Sequence, residues 1–305
     1  MGSHIRDLEA SEEGEMATVG ILTDTTSSIP RPLAEELGIE LVPYYVHRGL
    51  ETLRDGVDID TDELARYLER ADTLPTTSNP SPGDYLSGLQ RLAERTREIV
   101  ALTMTSKGSG AFQSCRAAVE ILKERLPRLQ VEVVDTLQVA MAHGWAAIEA
   151  ARAALTGQSL RDVVERAREV ARQAMMIQTA DTLRYLHMGG RIGRAQHLVG
   201  TLLNIKPLIG MEDGVIVALG TARSLSKAYA RMVELMEERV GKRARIKVAF
   251  THVAALDRLR QLQERVLEQF ECVEVIVTSL SPALAVHSGP GTVGVCFFPT
   301  GKPQG

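Results

Sequence analysis

Short apolar runs alternate with amphipathic stretches through the first half of the chain. TVGILT at 18–23 predicts a strand, 32–37 a helix, IELVPYYV at 39–46 a strand and 61–70 a helix. Another helix begins near Gly83, REIVALTM at 97–104 reads as a buried strand, 109–126 as a helix and VEVV at 131–134 as a strand. Within 109–126 the apolar residues Ala111, Cys115, Ala118, Val119 and Leu122 recur at helical spacing. Such alternation marks a mostly parallel sheet covered by helices. Two long helical segments follow, 139–155 and 160–173, and Thr156-Gly157-Gln158-Ser159 between them predicts the domain joint. Beyond the joint come MIQTA at 176–180, a helix through Tyr185, a Gly189-Gly190-Arg191 turn, and two strands in 206–220 around an Asp213-Gly214 hairpin turn. Helices at 225–240 and 256–270 then alternate with strands at 245–252, 273–280 and 291–298. The predicted fold class is α/β, with two α/β domains. A disordered, tag-derived leader occupies 1–17, a domain with a mostly parallel sheet 18–157, and a domain with a mixed sheet 158–305.

Composition narrows the classes of function. The 305 residues are 44% hydrophobic, 24% charged and 4% aromatic, as in ordinary globular proteins. The longest apolar runs, such as VIVALG at 215–220, fall far short of the roughly 18 residues that a membrane-spanning helix needs. Lys plus Arg number 35 against 39 Asp plus Glu, a net charge of −4, and no basic stripe stands out. That balance argues against nucleic acid as a partner. Cys115, Cys272 and Cys296 are far apart and form no C-x-x-C pair, so neither a disulfide framework nor a cysteine-based metal site is expected, and a cytoplasmic setting is the simplest. The acidic stretch up to Met16 lacks the apolar core of a signal peptide. There is no G-x-G-x-x-G, Walker loop, G-x-S-x-G or H-E-x-x-H, so dinucleotide, P-loop, hydrolase and zinc-protease chemistry lose their usual support.

Four clusters of small polar residues and glycines remain. In parallel sheets ligands bind beyond the carboxyl ends of the strands, where Thr23 to Ser28, Thr105-Ser106-Lys107 and Asp135-Thr136 stand. Thr76-Thr77-Ser78-Asn79-Pro80-Ser81-Pro82 sets hydroxyls on a proline-stiffened loop that serves either as a donor platform or as a capped connection. Thr105 to Ala111 joins a strand to a helix, and Gly108 and Gly110 permit close approach to free amides that suit a carboxylate or phosphate. Ser109 is equally readable as a simple N-cap, although a full capping box would want Glu or Gln where Phe112 stands. His287, read on a glycine-rich turn within 285–294, is a hydrogen-bond donor to an anion, a general acid or base, or a structural histidine. Arg191 in Gly189-Gly190-Arg191-Ile192-Gly193-Arg194 is suited to a carboxylate, a phosphate or a protein partner, or else belongs to a helix-terminating glycine turn.

Taken in order, these clusters resemble the DegV family of bacterial fatty-acid-binding proteins. The resemblance runs from about Thr18 to Phe298. It rests on Ile21-Leu22-Thr23-Asp24-Thr25-Thr26-Ser27, Thr77-Ser78-Asn79-Pro80-Ser81-Pro82, Ser106-Lys107-Gly108-Ser109-Gly110, Tyr185-Leu186-His187-Met188-Gly189-Gly190-Arg191-Ile192 and His287-Ser288-Gly289-Pro290-Gly291. It implies a long-chain fatty acid held between the two domains, with its carboxylate at the hydroxyl cluster and its chain in an apolar tunnel. By motif position Thr77, Ser78, Ser109, Gly110 and His287 are the implied ligand-binding residues. Arg191 is the implied contact with a partner fatty-acid kinase, which would phosphorylate the bound acid. The resemblance implies no catalytic residue, no metal and no cofactor beyond the acid itself. Two departures stand out. Gly108-Ser109-Gly110-Ala111-Phe112 replaces a common Leu-Ser-Gly-Thr-Tyr, which removes a leucine side chain and a threonine hydroxyl, and Asn79 replaces a common glutamine.

The leading expectation is therefore a lipid carrier with no catalysis of its own. A small-molecule enzyme acting on an anionic acyl or phosphorylated substrate, with His287 as acid or base, is the alternative. A protein that senses lipid through a shift between domains is a third reading.

Overall fold

The computed structural model describes residues 19–71, 73–199 and 205–301, so the leader expected over 1–17 lies outside the described residues. The apolar run that opens the described chain forms β1 (Val19–Asp24), followed by a 3-10 turn at Thr25–Ser27 and α1 (Arg31–Glu36). The stretch expected as one strand over 39–46 is two, β2 (Ile39–Val42) and β3 (Tyr45–Arg48). Pro43 stands between them and has no N–H with which to carry a ladder from one into the other. β2 stays beside β1, whereas β3 starts a small antiparallel sheet with β4 (Glu51–Arg54) and, after α2 (Thr61–Leu68), β5 (Thr76–Ser78), in the order β4-β3-β5. The hydroxyl loop is thus an edge strand of a second, smaller sheet.

α3 (Pro82–Ala93) starts where the sequence suggests. Ser81 accepts from the Asp84 amide, Asp84 answers from its side chain, and Pro82 occupies the first turn. β6 (Glu98–Thr103), α4 (Ala111–Arg125) and β7 (Gln130–Asp135) complete a four-stranded parallel sheet in the order β2-β1-β6-β7. α3 and α4 cover one of its faces through Leu22, Tyr85, Leu89, Ile99 and Cys115.

α5 (Ala140–Leu155) and α6 (Leu160–Gln173) carry the chain to the second sheet. α5 reads AMAHGWAAIEAARAAL and is buried on nearly all sides, as expected of a helix with no polar face. One core joins it to Ile21 and Val100 of the parallel sheet and to Met176 and Phe298 of the other. Trp145 at its middle is fully buried, donates from Nε1 to the Cys296 carbonyl at 3.1 Å, and meets Phe298 edge-on with centroids 5.6 Å apart. Burying a side chain of that size contributes on the order of 4–6 kcal/mol. Gly144 lets the helix approach the first 3-10 turn, since a Cβ there would stand 2.6 Å from the Ser27 carbonyl. Near its end Glu149, buried, is gripped by Arg152 (2.9 Å), Arg166 (2.5 Å) and Lys247 (2.7 Å).

The remaining elements are β8 (Met175–Thr179), α7 (Arg184–Met188), a 3-10 stretch at Gly193–Leu198, β9 (Lys206–Glu212), β10 (Val215–Ala222), α8 (Leu225–Val240), β11 (Arg245–His252), α9 (Leu256–Gln269), β12 (Glu271–Ser279), α10 (Pro282–Ser288) and β13 (Val293–Pro299). They form a six-stranded mixed sheet in the order β10-β9-β8-β13-β11-β12, in which only β11 and β12 run parallel. Tyr229, Met232, Phe250, Leu259 and Phe297 make its core under α8 and α9. The expected hairpin between β9 and β10 is present, with Asp213 at φ 50° and Gly214 at φ 76°, both left-handed as a type I′ turn requires. α10 was not expected. Ser281 caps it, Pro282 occupies the first turn, and Gly289 at φ 79° ends it. His287 therefore sits in the last turn of a short helix and not on a glycine-rich turn. No helix among the described residues is long and apolar enough to cross a membrane.

Candidate functional site

The carboxyl ends of β1 and β6 face the second sheet across a cavity of about 530 Å³, within the size range of small-molecule sites. Met104, Val139, Met176, Leu186, Ile209, Met211, Ile216 and Leu284 give it an apolar lining drawn from both sheets and their connections. Polar groups share the wall. Thr77, Ser109, Gly110, Arg191 and His287, all singled out in the sequence, line this same cavity, and so does Ser78.

Strand alternation sorts the Thr77 and Ser78 hydroxyls of β5. Thr77 points to α10, where its Oγ1 lies 2.9 Å from His287 Nε2. Ser78 points the other way and its Oγ lies 2.8 Å from His47 Nε2, so its hydroxyl is committed outside the cavity. Ser109 shares a 2.6 Å hydrogen bond with the Tyr44 hydroxyl and accepts from the Ala111 amide at 3.2 Å. Ser109 stands one residue before Gly110, the N-cap of α4, so its bond to the Ala111 amide is a local turn contact and not a side-chain cap, and it lines the cavity. Gly110 backs onto Asn79, whose Oδ1 would stand 3.0 Å from a Cβ, and Asn79 is itself held by donating to the Pro80 carbonyl and Ser114.

Two glycine clusters a hundred residues apart interlock at the His287 end. A Cβ on Gly189 would fall 2.2 Å from His287 Nδ1, and one on Gly289 would fall 2.2 Å from the Tyr185 ring. The His187-Met188-Gly189-Gly190 turn exists in this form because α10 lies against it. Arg191 donates to the Gly189 carbonyl at 2.8 Å, and its side chain is exposed at the cavity wall.

Burial, reinforced by the Arg191 charge, pushes the His287 pKa down to about 4, so the imidazole is neutral near pH 7. Its Nδ1 is buried without a hydrogen-bond partner. A His meant to act as a base is normally oriented by a third group at its far nitrogen, and none is present. Burial, with the Asp24 charge, also raises the Tyr44 phenol well above its ordinary value and keeps it a neutral donor.

Behind these groups lies a polar layer that sequence reasoning did not single out as a unit. Asp24, fully buried, accepts from the Thr26 amide and hydroxyl and from the Met104 amide at 3.1 Å, tying the ends of β1 and β6 together. His143 of α5 lies between Thr23 Oγ1 at 2.9 Å and Thr136 Oγ1 at 3.1 Å. Thr136 gives its own proton to the Thr103 carbonyl. His143 Nδ1 must therefore carry the ring proton and Nε2 accept from Thr23. Burial lowers the pKa of this histidine and keeps it neutral. Tyr44 was hidden inside an apparent strand, and His143 inside an apolar helix. The only signal for the layer was the row of small polar residues after each strand. No group of three or more His, Cys, Asp or Glu among the described residues is placed to hold a metal ion.

Comparison with known proteins adds a family. The family model for uncharacterised proteins of the DegV family matches residues 18–300. A DegV domain-containing protein of Streptomyces coelicolor is 35% identical over 279 residues, covering 91% of this chain and 97% of that protein. The solved structure of a DegV family protein from Thermus thermophilus, described as fatty acid binding, superposes with a TM-score of 0.87 at 31% identity, over 93% of this chain and all of that one. A DegV lipid binding protein from Thermotoga maritima gives a TM-score of 0.83 at 26% identity, over 92% of this chain and 98% of its own.

Proposed function

This chain belongs to the DegV family, and on that premise we propose that it binds a long-chain fatty acid in the cavity between its two sheets, with the carboxylate at Thr77, Ser109 and His287. The observation that carries the reading is the Thr77–His287 bond, which joins β5 to α10 on the wall of a cavity that also has a broad apolar lining. A carboxylate taken from water needs donors, and two bonded pairs on the cavity wall, Thr77 with His287 and Tyr44 with Ser109, each keep one proton to offer. The chain supplies the affinity. At ~0.8 kcal/mol per buried methylene a long acyl chain contributes on the order of 10 kcal/mol before ordering costs. Gly110 allows close approach beside Ser109, and Ser78 acts through its backbone and through His47. The description of the Thermus thermophilus relative as fatty acid binding supports the same ligand.

In this reading the two α/β domains meet near residue 157 and the protein works in the cytoplasm as a carrier. Arg191, exposed at the cavity wall, meets a separate fatty-acid kinase that phosphorylates the held carboxylate. The protein itself catalyses nothing. His287, with its pKa at about 4 and no group orienting Nδ1, is a weak base for the alternative enzyme chemistry. Native mass spectrometry of the purified protein tests the proposal. A bound mass matching a long-chain acid is expected, and finding none, together with no saturable uptake of labelled palmitate, rejects it.

A further inference from the structure

Asp55 follows β4 and is fully buried, yet it belongs to no part of the head-group cluster. Three donors face its carboxylate. The Ala283 amide in the first turn of α10 donates to Oδ2 at 3.1 Å, and the hydroxyls of Ser281 and Thr25 stand close enough to favour the charged form. The polarity of each is fixed. Ser281 Oγ accepts from the Leu284 amide at 3.4 Å and Thr25 Oγ1 accepts from the Tyr44 amide at 3.1 Å, so both hydroxyls have their protons free for Asp55. The Asp55 amide in turn donates to the Tyr44 carbonyl at 2.9 Å. One carboxylate therefore ties together the turn after β1, the segment carrying Tyr44, and α10, whose last turn presents His287 to Thr77.

We propose that Asp55 is a positioning residue for the head-group site, gripping Thr25 and the first turn of α10 at once and so fixing the spacing between Tyr44 and His287. The proposal rests on the fatty-acid reading above for what the site holds, but not for the geometry itself.

Among the described residues no ion pair to this carboxylate forms, and Arg31, the cation beside it in space, donates to the Gly56 carbonyl at 3.4 Å. The charged group that acts on Asp55 is Asp24, which repels it, Tyr44 is the titratable neighbour on its other side, and the adjacent Arg54 guanidinium is held by Asp58 at 2.8 and 2.9 Å. Burial raises its pKa to about 6. A raised carboxyl pKa means that the folded state binds the proton more tightly than the unfolded chain, so the contribution to stability is largest at low pH and is lost as pH rises through about 6. The charge weakens the fold at neutral pH while organising the site. Protonated, the carboxyl still accepts from the Ala283 amide on one oxygen but becomes a donor on the other, so one of the two facing hydroxyls has to accept in place of donating.

The test compares wild type with Asp55→Asn and Thr25→Val in the full chain, using labelled palmitate, thermal unfolding and the His287 imidazole proton resonance. At about pH 7.5 the Asn variant is expected to bind about tenfold more weakly with an unchanged or higher melting temperature, and the gap to narrow near pH 5, where wild type is protonated too. Thr25→Val removes one of the three donors and is expected to weaken binding about threefold. Equal affinities at pH 7.5, or a gap of the same size at both pH values with a lowered melting temperature, overturn the proposal. Wild type that takes up no palmitate rejects the fatty-acid reading instead. The resonance of His287 in the ligand-free variants then decides, and a position and titration identical to wild type overturn the positioning role.

Discussion

The parallel and mixed sheets contribute unlike parts of the cavity. The parallel sheet brings polar groups that are already bonded to one another. Thr23, His143 and Thr136 form a buried row that ends on the Thr103 carbonyl, and Asp24, also buried, holds the Thr26 and Met104 amides. The mixed sheet brings mainly apolar strand side chains, Met176, Ile209, Met211 and Ile216, with Gln178 of β8 tied to Ser288, while Arg191 and His287 arrive after a five-residue helix and on a seven-residue one. An anionic head group needs donors oriented in advance, because a mispaired carboxylate out of water is costly. An apolar chain needs only contact, which methionine and branched side chains adapt to supply.

The largest expected effect would break the comparison. Trp145 belongs to a helix packed on the parallel sheet, yet it bonds and packs onto β13 of the mixed sheet. Trp145→Ala is expected to lower the unfolding free energy by about 3–5 kcal/mol in a single denaturant transition. Two separate transitions would mean that the sheets unfold independently of their shared helix.

A smaller effect sharpens the comparison at the head group. His287→Ala should cost about 1.5–3 kcal/mol of fatty-acid affinity, roughly 10- to 100-fold, since the lost bond is to a charged ligand. Thermal stability is the opposing measurement. With a pKa lowered from 6.5 to about 4, wild-type His287 contributes stability that is complete above about pH 6.5 and lost as pH falls toward 4. A bound carboxylate acts in the opposite direction and favours the imidazolium. Calorimetry in buffers of different ionisation enthalpy is therefore expected to show proton uptake on binding between about pH 4 and 6.5, and to show less of it for His287→Ala.

The smallest effect concerns the seam between the two contributions. Thr105 at the end of β6 donates to the Gly214 carbonyl at the tip of the β9–β10 hairpin, at 2.8 Å. Thr105→Val is expected to loosen that tip by about 1 kcal/mol, read as faster amide exchange at Val215 and Ile216 with global stability nearly unchanged.

Much of the fold is legible along the chain because it follows local rules. Asp213-Gly214 can adopt the two left-handed residues of a tight hairpin, Ser81-Pro82 with Asp84 starts a helix, and 97–104 carries enough consecutive apolar residues to be a buried strand. The site is legible only in part. Thr77, Ser109, Gly110, Arg191 and His287 all reach one cavity, and Ser78 reaches it as well, although alternation along β5 sends its hydroxyl to His47. What escaped is short or enclosed. α10 has seven residues, fewer than the window over which helical periodicity can be counted. Pro43 hides a change of sheet inside a continuous apolar run, and Tyr44 lies just past it. Asp55 reads as an ordinary turn residue, because its donors at Thr25, Ser281 and Ala283 are 30 and more than 220 positions away.

The sequence alone determined the alternation of strands and helices, the parallel character of the first sheet, the mixed character of the second, and the small polar residues at strand ends. Each depends on residues within a few positions of one another, where periodicity and turn chemistry act. Tertiary structure alone decided which hydroxyl of β5 faces the cavity, that Gly189 must lack a side chain because His287 lies against it, and that a carboxylate at 55 holds a helix beginning at 282. Those outcomes depend on contacts closed across the whole chain, and their geometry is set by packing that no local pattern encodes.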